Sequence, residues 1–347
     1  MNRKYELTSG YRINRVINGC WQLSEGHSLT GAPDMDDVMR AFHMLVDRGF
    51  TTFDCADIYT GAEDFIGRFV CELRHTPGRS PDEIQVHTKY VPDLDRLRGL
   101  RFEDTERIID RSLRRLNLDR LDLVQFHWWD YEIPRSVEVA GHLVRLMEKG
   151  KLRNIGVTNF DTEHLAALVD AGIPVVSIQS QYSMFDRRPE RGQLRYCREH
   201  GIAMFCYGTL SGGFLSEKYL DRANLAPETR SQVKYMQVIE DTLGLEGMQA
   251  LLRLLKSVGD THGVSVSNVA TRYILQQSGV AAAIVGVRNS RHVADNDRLF
   301  EFSLSGEELA SIRALLDRYP VLEGDPYTLE RTSPRYRGII KMKLNGE

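Results

Sequence analysis

The sequence predicts an α/β protein, a (β/α)8 TIM barrel with eight parallel strands, outer helices and long loops at the C-terminal face. Short β-branched or apolar runs alternate with longer segments whose apolar residues recur at helical spacing, the pattern of parallel strands joined by crossover helices. No Pro/Gly/Ser-rich linker or shift in composition divides the 347 residues, so 1–347 reads as one barrel domain, a size such barrels with extra loops commonly reach. Polar residues close successive strand runs, which is where a barrel of this type places its functional loops.

Taken in order, YELTSGYRI suits a small hairpin ahead of the barrel. Strand runs follow at 15–20, 50–53, 84–88, 121–126, 155–157, 175–178, 203–206 and 281–285. Helical stretches between them include 35–48, 102–116, 136–149, 162–170, 189–200 and 265–277. Asp34 or Asp36 can cap the first of these and Gly49 close it, while Asp161 and Gly172 bracket the one at 162–170. Two stretches break the rhythm: the connection from 207 to 242 and the polar, aromatic-containing tail from about 319. Loops this long in a compact domain often serve as lids, a solvated connection being the plainer alternative.

Composition narrows the functional classes. A net charge of −3, with no basic cluster interleaved with aromatics, offers no surface for nucleic acid. Five cysteines, an odd number without a CxxC pair, suit reduced thiols in a cytoplasmic protein. The first residues, MNRKYELTSGYRINR, lack a signal-peptide core, and no run approaches a membrane span. The histidines show no metal-ligand spacing with cysteines or carboxylates, so no metal site is expected.

The strand ends carry the functional signal. The second strand ends in Asp54, with Tyr59 five residues on in FDCADIY; the third ends in Lys89 and the fourth in His127, within TKY and QFHWW. Thr158 and Asn159 follow the fifth, Gln179 ends the sixth, Tyr207 follows the seventh, and the eighth opens into GVRNSRHVADN. Singly, Asp54 and Lys89 read as an ion pair, Tyr59 as a loop aromatic and His127 as a core histidine. Together, FDCADIYTGAEDFIG, TKY, QFHWW, RNIGVTNF, QSQYSMF and YGTLSGGFL make the chain resemble the aldo-keto reductase superfamily from about Gly19 to Asn296. By that resemblance Asp54, Tyr59, Lys89 and His127 match the four members of its catalytic tetrad.

The chemistry of these residue types agrees. Reducing a carbonyl requires a proton for the oxygen as hydride reaches the carbon, together with donors aimed at the developing oxyanion. Tyr59 is the candidate acid. A nearby ammonium stabilises phenolate; Lys89 supplies it, and Asp54 favours the charged form of Lys89. His127 can orient the substrate oxygen, or take part in proton transfer when the reaction runs as an oxidation.

The resemblance further implies a nicotinamide cofactor lying across the barrel mouth, since there is no GxGxxG fingerprint or P-loop. Thr158, Asn159 and Gln179 would hold the carboxamide, Tyr207 would stack on the nicotinamide ring, and Gly208, Leu210, Gly212 and Gly213 would let backbone approach the pyrophosphate. The eighth segment departs from one familiar pattern of the family, with Gly286 in place of a lysine and His292 in place of an arginine for the adenosine 2′-phosphate. Arg288 and Arg291 can substitute, and Asn296 with Asp295 resembles the adenine-binding pair. NADP(H) is therefore favoured and NAD(H) stays open. Trp21, Trp128 and Trp129 are the leading candidates to wall a pocket for a small carbonyl or alcohol substrate. Two rivals remain: a sugar or alcohol dehydrogenase of the same family working mainly in the oxidative direction, and a nucleotide-sensing barrel with little turnover.

Overall fold

The structure, a computed structural model, describes residues 2–25, 27–29 and 31–338. Ten strands and thirteen α-helices follow one another in these residues. Strands β1 (Lys4–Thr8) and β2 (Tyr11–Asn14) form an antiparallel hairpin, as YELTSGYRI predicts. The other eight, β3 (Val16–Gly19), β4 (Thr52–Asp54), β5 (Gln85–Tyr90), β6 (Leu121–Phe126), β7 (Leu152–Thr158), β8 (Val175–Gln181), β9 (Ala203–Tyr207) and β10 (Val280–Gly286), pair in parallel and close into a barrel, β10 returning to β3. The (β/α)8 barrel read from the sequence is the fold.

The helices run α1 (Met35–Asp47), α2 (Ala62–His75), α3 (Phe102–Leu116), α4 (Ser136–Glu148), α5 (Thr162–Asp170), α6 (Gln193–Glu199), α7 (Arg230–Asp241), α8 (Gly244–His262), α9 (Val266–Leu275), α10 (Val293–Arg298), α11 (Gly306–Leu316), α12 (Thr328–Thr332) and α13 (Pro334–Arg337). Their ends follow local chemistry. The Asp34 carboxylate accepts from the N–H groups of Asp36 and Asp37 to start α1, and Asp161 accepts from His164 N–H to start α5. The strand expected at 50–53 begins at Thr52 because Phe50 N–H bonds to Leu45 O, so Phe50 belongs to the turn ending α1. Gly67 lets α2 lie against α3, since a Cβ there would sit 1.9 Å from Arg115 O.

Two apolar layers hold the barrel. Between sheet and helices, Phe42, Phe53, Phe65 and Phe69 pack edge to face and tilted. A second cluster, Tyr11, Ile13, Ile17, Leu123, Phe205 and Ala282, joins the hairpin to the barrel, where Tyr11 Oη lies 3.1 Å from His87 Nε2. The stretches expected to be loops contain structure. The 207–242 connection ends in α7, and the tail folds back as α12 and α13. Among the described residues no helix is long and apolar enough to cross a membrane.

Candidate active site

Parallel pairing brings the strand-end residues together. Asp54 closes β4 opposite His87, Lys89 on β5 pairs with Gln125 on β6, and Thr158 on β7 pairs with Gln179 on β8. Because strand side chains alternate between faces, these registers place Lys89 and Gln125 side by side. Lys89 Nζ donates to Asp54 Oδ2 at 2.6 Å and to Cys55 O at 2.8 Å, and lies 4.8 Å from the centre of the Tyr59 ring. Asp54 Oδ1 accepts from Gln125 Nε2 and Gln179 Nε2, both at 2.7 Å. Asp54, Lys89 and His127 are buried. All four residues of the predicted group line one cavity of about 490 Å³, a size suited to a small ligand.

Burial and charge set the protonation states. Burial alone would lower the Lys89 pKa, but the Asp54 carboxylate in contact with it overrides this and raises it, so Lys89 is a cation throughout the neutral range. Burial raises the Tyr59 phenol above its usual value, and the Lys89 ammonium pulls it back down. Burial, with Arg331 adding to it, drives His127 down to about 3, so its ring is neutral at physiological pH. Its Nδ1 lies 3.0 Å from Thr158 O; a carbonyl can only accept, so Nδ1 carries the proton. Nε2 is then an acceptor, buried and without a partner among the described residues.

The aromatic walls differ from expectation in one member. Trp21 lies 4.6 Å from the Tyr59 ring and donates to Ser231 Oγ, while Trp129 stands edge-on to His127 at 4.3 Å and donates to Pro92 O. Both line the cavity. Trp128, expected beside them, does not. It is fully buried, packs on Phe126 and donates to Ile133 O, because its neighbour Trp129 takes the cavity-facing direction and Trp128 takes the core.

Thr158, Asn159, Gln179 and Tyr207 meet on one side of the cavity. Asn159 adopts a φ of 60°, which Asn tolerates better than most side chains, and its Oδ1 accepts from Tyr207 Oη at 2.8 Å. The two N–H groups of Gln179 go to Asp54 Oδ1 and, at 2.8 Å, to Gln125 Oε1. Asn159 therefore keeps an amide donor and Gln179 an acceptor. Gly208, Leu210, Gly212 and Gly213 also line the cavity, and a Cβ on Gly208 would meet Tyr235 Oη at 2.2 Å.

Of the segment after β10, Gly286 and Arg288 reach the cavity. A Cβ on Gly286 would collide with Gln22 Nε2 at 2.1 Å, so this chain fills with Gln22 the space a longer side chain would need. His292 is exposed and faces Asp295 at 3.3 Å; His292, Arg291, Asp295 and Asn296 lie outside the cavity lining, further along the segment.

Three contributions escaped the strand-end reading because they come from the long connection, the tail and the barrel interior. Thr229 pairs with Ser28 in an antiparallel bridge, Arg230 N–H donates to His27 O, and His27, Arg230, Lys234 and Tyr235 line the cavity. From the tail, Tyr327 lines it and stands edge-on to His127 at 5.5 Å. Arg331 donates to Trp128 O and Asn159 O, and the buried Glu330 carboxylate is held by Arg188 at 3.1 Å and Lys234 at 2.8 Å. The third is Gln125. The length of the two stretches was the one signal available for the first two contributions; a lone Gln in an apolar strand gave none for the last.

A closed parallel barrel with an ammonium set between a carboxylate and a phenol, beside a neutral imidazole at the mouth, defines an enzyme site suited to moving a proton at a bound oxygen. The Aldo/keto reductase family model matches residues 15–317, and the chain belongs to that family. It is accordingly an NAD(P)-dependent oxidoreductase of carbonyl chemistry. It is 28% identical over 315 residues to "Aldo-keto reductase YhdN" of Bacillus subtilis, covering 89% of this chain and 92% of that protein. It is 28% identical over 318 residues to "Aldo-keto reductase yakc [NADP(+)]" of Schizosaccharomyces pombe, covering 88% of each. Among solved structures, a glycerol dehydrogenase from Gluconobacter oxydans superposes with a TM-score of 0.76 at 27% identity, covering 91% of this chain and 95% of that one.

Proposed function

We propose that the chain, acting as a single catalytic unit, reduces the carbonyl of a small aldehyde or ketone with NADPH, Tyr59 being the proton donor. The observation that carries this reading is the Lys89 ammonium, held by Asp54 at 2.6 Å and lying 4.8 Å from the Tyr59 ring centre in the cavity. Proton transfer from Tyr59 Oη to the substrate oxygen leaves a phenolate, which Lys89 stabilises while Asp54 holds the charge on Lys89. His127 is an unsuitable donor in this role, since its neutral ring carries its proton on Nδ1, bonded to Thr158 O. Its Nε2 instead accepts the hydroxyl of the alcohol product.

The residues present fit a nicotinamide nucleotide, which when bound supplies or takes up the hydride. A primary carboxamide offers one acceptor and one donor, the complement of the Asn159 amide donor and the Gln179 Oε1 acceptor. The Tyr207 ring supplies a stacking face, and the backbone at Gly208, Leu210, Gly212 and Gly213 lies open to a pyrophosphate. Arg288, at the cavity, suits a 2′-phosphate and favours NADP(H); the yakc protein carries NADP(+) in its name. His292, Arg291 and Asn296 can act toward the adenosine end only beyond the cavity. Five unpaired cysteines fit a cytoplasmic location.

Tyr59→Phe tests the reading by NADPH consumption over an aldehyde panel, with a kcat loss of about 10²–10⁴-fold and unchanged NADPH affinity expected. Retention of the wild-type rate would place the acid elsewhere. Nucleotide binding with no turnover by the wild type would favour a sensor. A second reading, oxidation of an alcohol or sugar, uses the same site in reverse, the His127 Nε2 acceptor then meeting a substrate hydroxyl. Initial rates in both directions at one pH, with matched alcohol and carbonyl, separate the two.

A further inference from the structure

We propose that Gln125, which stands outside the Asp54, Tyr59, Lys89 and His127 group, is a positioning residue that ties the carboxamide-facing amide of Gln179 to the Asp54 counter-ion. The inference rests on the reading of the site given above and adds a residue to it. Gln125 is fully buried on β6, in register with Lys89, and is not part of the cavity wall. Its Nε2 donates to Asp54 Oδ1 at 2.7 Å and its Oε1 accepts from Gln179 Nε2 at 2.8 Å, while Gln179 Nε2 also donates to the same Asp54 oxygen at 2.7 Å. Three side chains from three strands thus close a ring of hydrogen bonds.

The ring fixes two things at once. With both N–H groups of Gln179 taken, its amide cannot turn over without losing two bonds, one of them to a buried carboxylate, so Oε1 stays turned to the carboxamide position. Asp54 meanwhile has one oxygen saturated by two amides and the other by Lys89, which keeps its charge where Lys89 needs it. The remaining groups around the pair leave this role to the amides. Burial pushes the Cys20 and Cys55 thiols up and His87 down to about 4, so all three are uncharged at neutral pH, and Tyr59 is a neutral phenol there.

The test is Gln125→Met, close in volume but with neither donor nor acceptor, alongside Gln125→Glu, whose buried carboxyl must share a proton with Asp54 and so keeps both a donor for Asp54 and an acceptor for Gln179. NADPH affinity is read from quenching of tryptophan fluorescence, and the pH dependence of kcat from carbonyl reduction. For Gln125→Met, NADPH binding weakens about tenfold, the worth of roughly one hydrogen bond. The basic limb of its pH profile moves to higher pH, because the Asp54 carboxylate, relieved of an amide donor, opposes loss of the Tyr59 and Lys89 protons more strongly. Gln125→Glu keeps wild-type NADPH affinity, and its basic limb stays near the wild-type position. A Gln125→Met protein that melts earlier yet keeps wild-type NADPH affinity and pH limbs makes Gln125 a core residue and overturns the inference. Should Gln125→Met fail to fold, Gln125→Asn, too short to bridge both partners, replaces it, and wild-type NADPH affinity with an unmoved basic limb overturns the inference. Failure of the wild type to bind NADPH would instead remove the reading of the site itself.

Discussion

Replacing Lys89 by methionine should slow both directions of the reaction by the same factor at a pH below the phenol pKa. The Lys89 nitrogen lies 4.8 Å from the centre of the Tyr59 ring. At an effective dielectric of about 20, a unit charge at that separation is worth roughly 3.5 kcal/mol, or about 2.5 pH units on the phenol. Removal of the ammonium raises the Tyr59 pKa, and Asp54, left without its cation, acts in the same direction. Oxidation of an alcohol needs the phenolate, whose population at fixed pH below the phenol pKa falls about 300-fold, but the phenolate that remains is a stronger base, so at a Brønsted sensitivity of roughly one half the net loss is about 20-fold. Reduction uses the phenol as an acid and at the same sensitivity also loses about 20-fold, as the shared transition state requires. Initial rates of wild type and Lys89→Met, measured both ways with saturating nucleotide across a pH series, read this directly. The rising limb of oxidation should move to higher pH. Losses well below about 20-fold, or an oxidation limb that stays in place, would refute the electrostatic role assigned to Lys89, and Asp54→Asn/Lys89→Met separates the contribution of the orphaned carboxylate.

Other outcomes follow from the same geometry. Trp128→Ala should cost about 3–5 kcal/mol in denaturant unfolding with substrate KM unchanged, whereas Trp129→Ala should raise KM roughly tenfold, since of these two it is Trp129 that lines the cavity. Arg288→Ala should weaken NADPH binding tenfold or more and leave NADH nearly unaffected; parallel losses in calorimetric titrations would move the 2′-phosphate contact elsewhere. Glu330→Gln leaves Lys234 without its buried counter-ion, while Arg188 keeps Asp186 at 2.7 Å, and should destabilise by about 3 kcal/mol. The Glu330 carboxyl is held down to about 2, chiefly by Lys234 and Arg188 acting against burial. Its stabilisation is therefore complete above the ordinary carboxyl range near 4.5 and lost as pH falls toward 2, so that portion of the acid destabilisation should be missing from Glu330→Gln.

The barrel could be read from the chain because its signal is local and repeated: each strand run is apolar, each crossover has helical spacing, and caps such as Asp34 and Asp161 sit where helices begin. The strand-end residues were readable for a geometric reason, since parallel pairing carries every strand's last polar residue to the same rim. What local pattern does not encode is direction. Trp128 and Trp129 are adjacent and alike in type, and only the packed structure turns one to Phe126 and the other to His127. Contacts made across long separations were hidden for the same reason. Nothing near Glu330 signals its burial against Arg188 and Lys234, and nothing near Gln125 signals its place between Asp54 and Gln179.

Barrel closure has a bearing on synthesis. The joint between β10 and β3 pairs Gly286 with Gly19, and both glycines border the cavity. One side of this seam of the future pocket is thus synthesised well before the side that pairs with it. Because so distant a pairing is slow to find, nucleotide affinity should appear late in refolding, after most helical signal has returned.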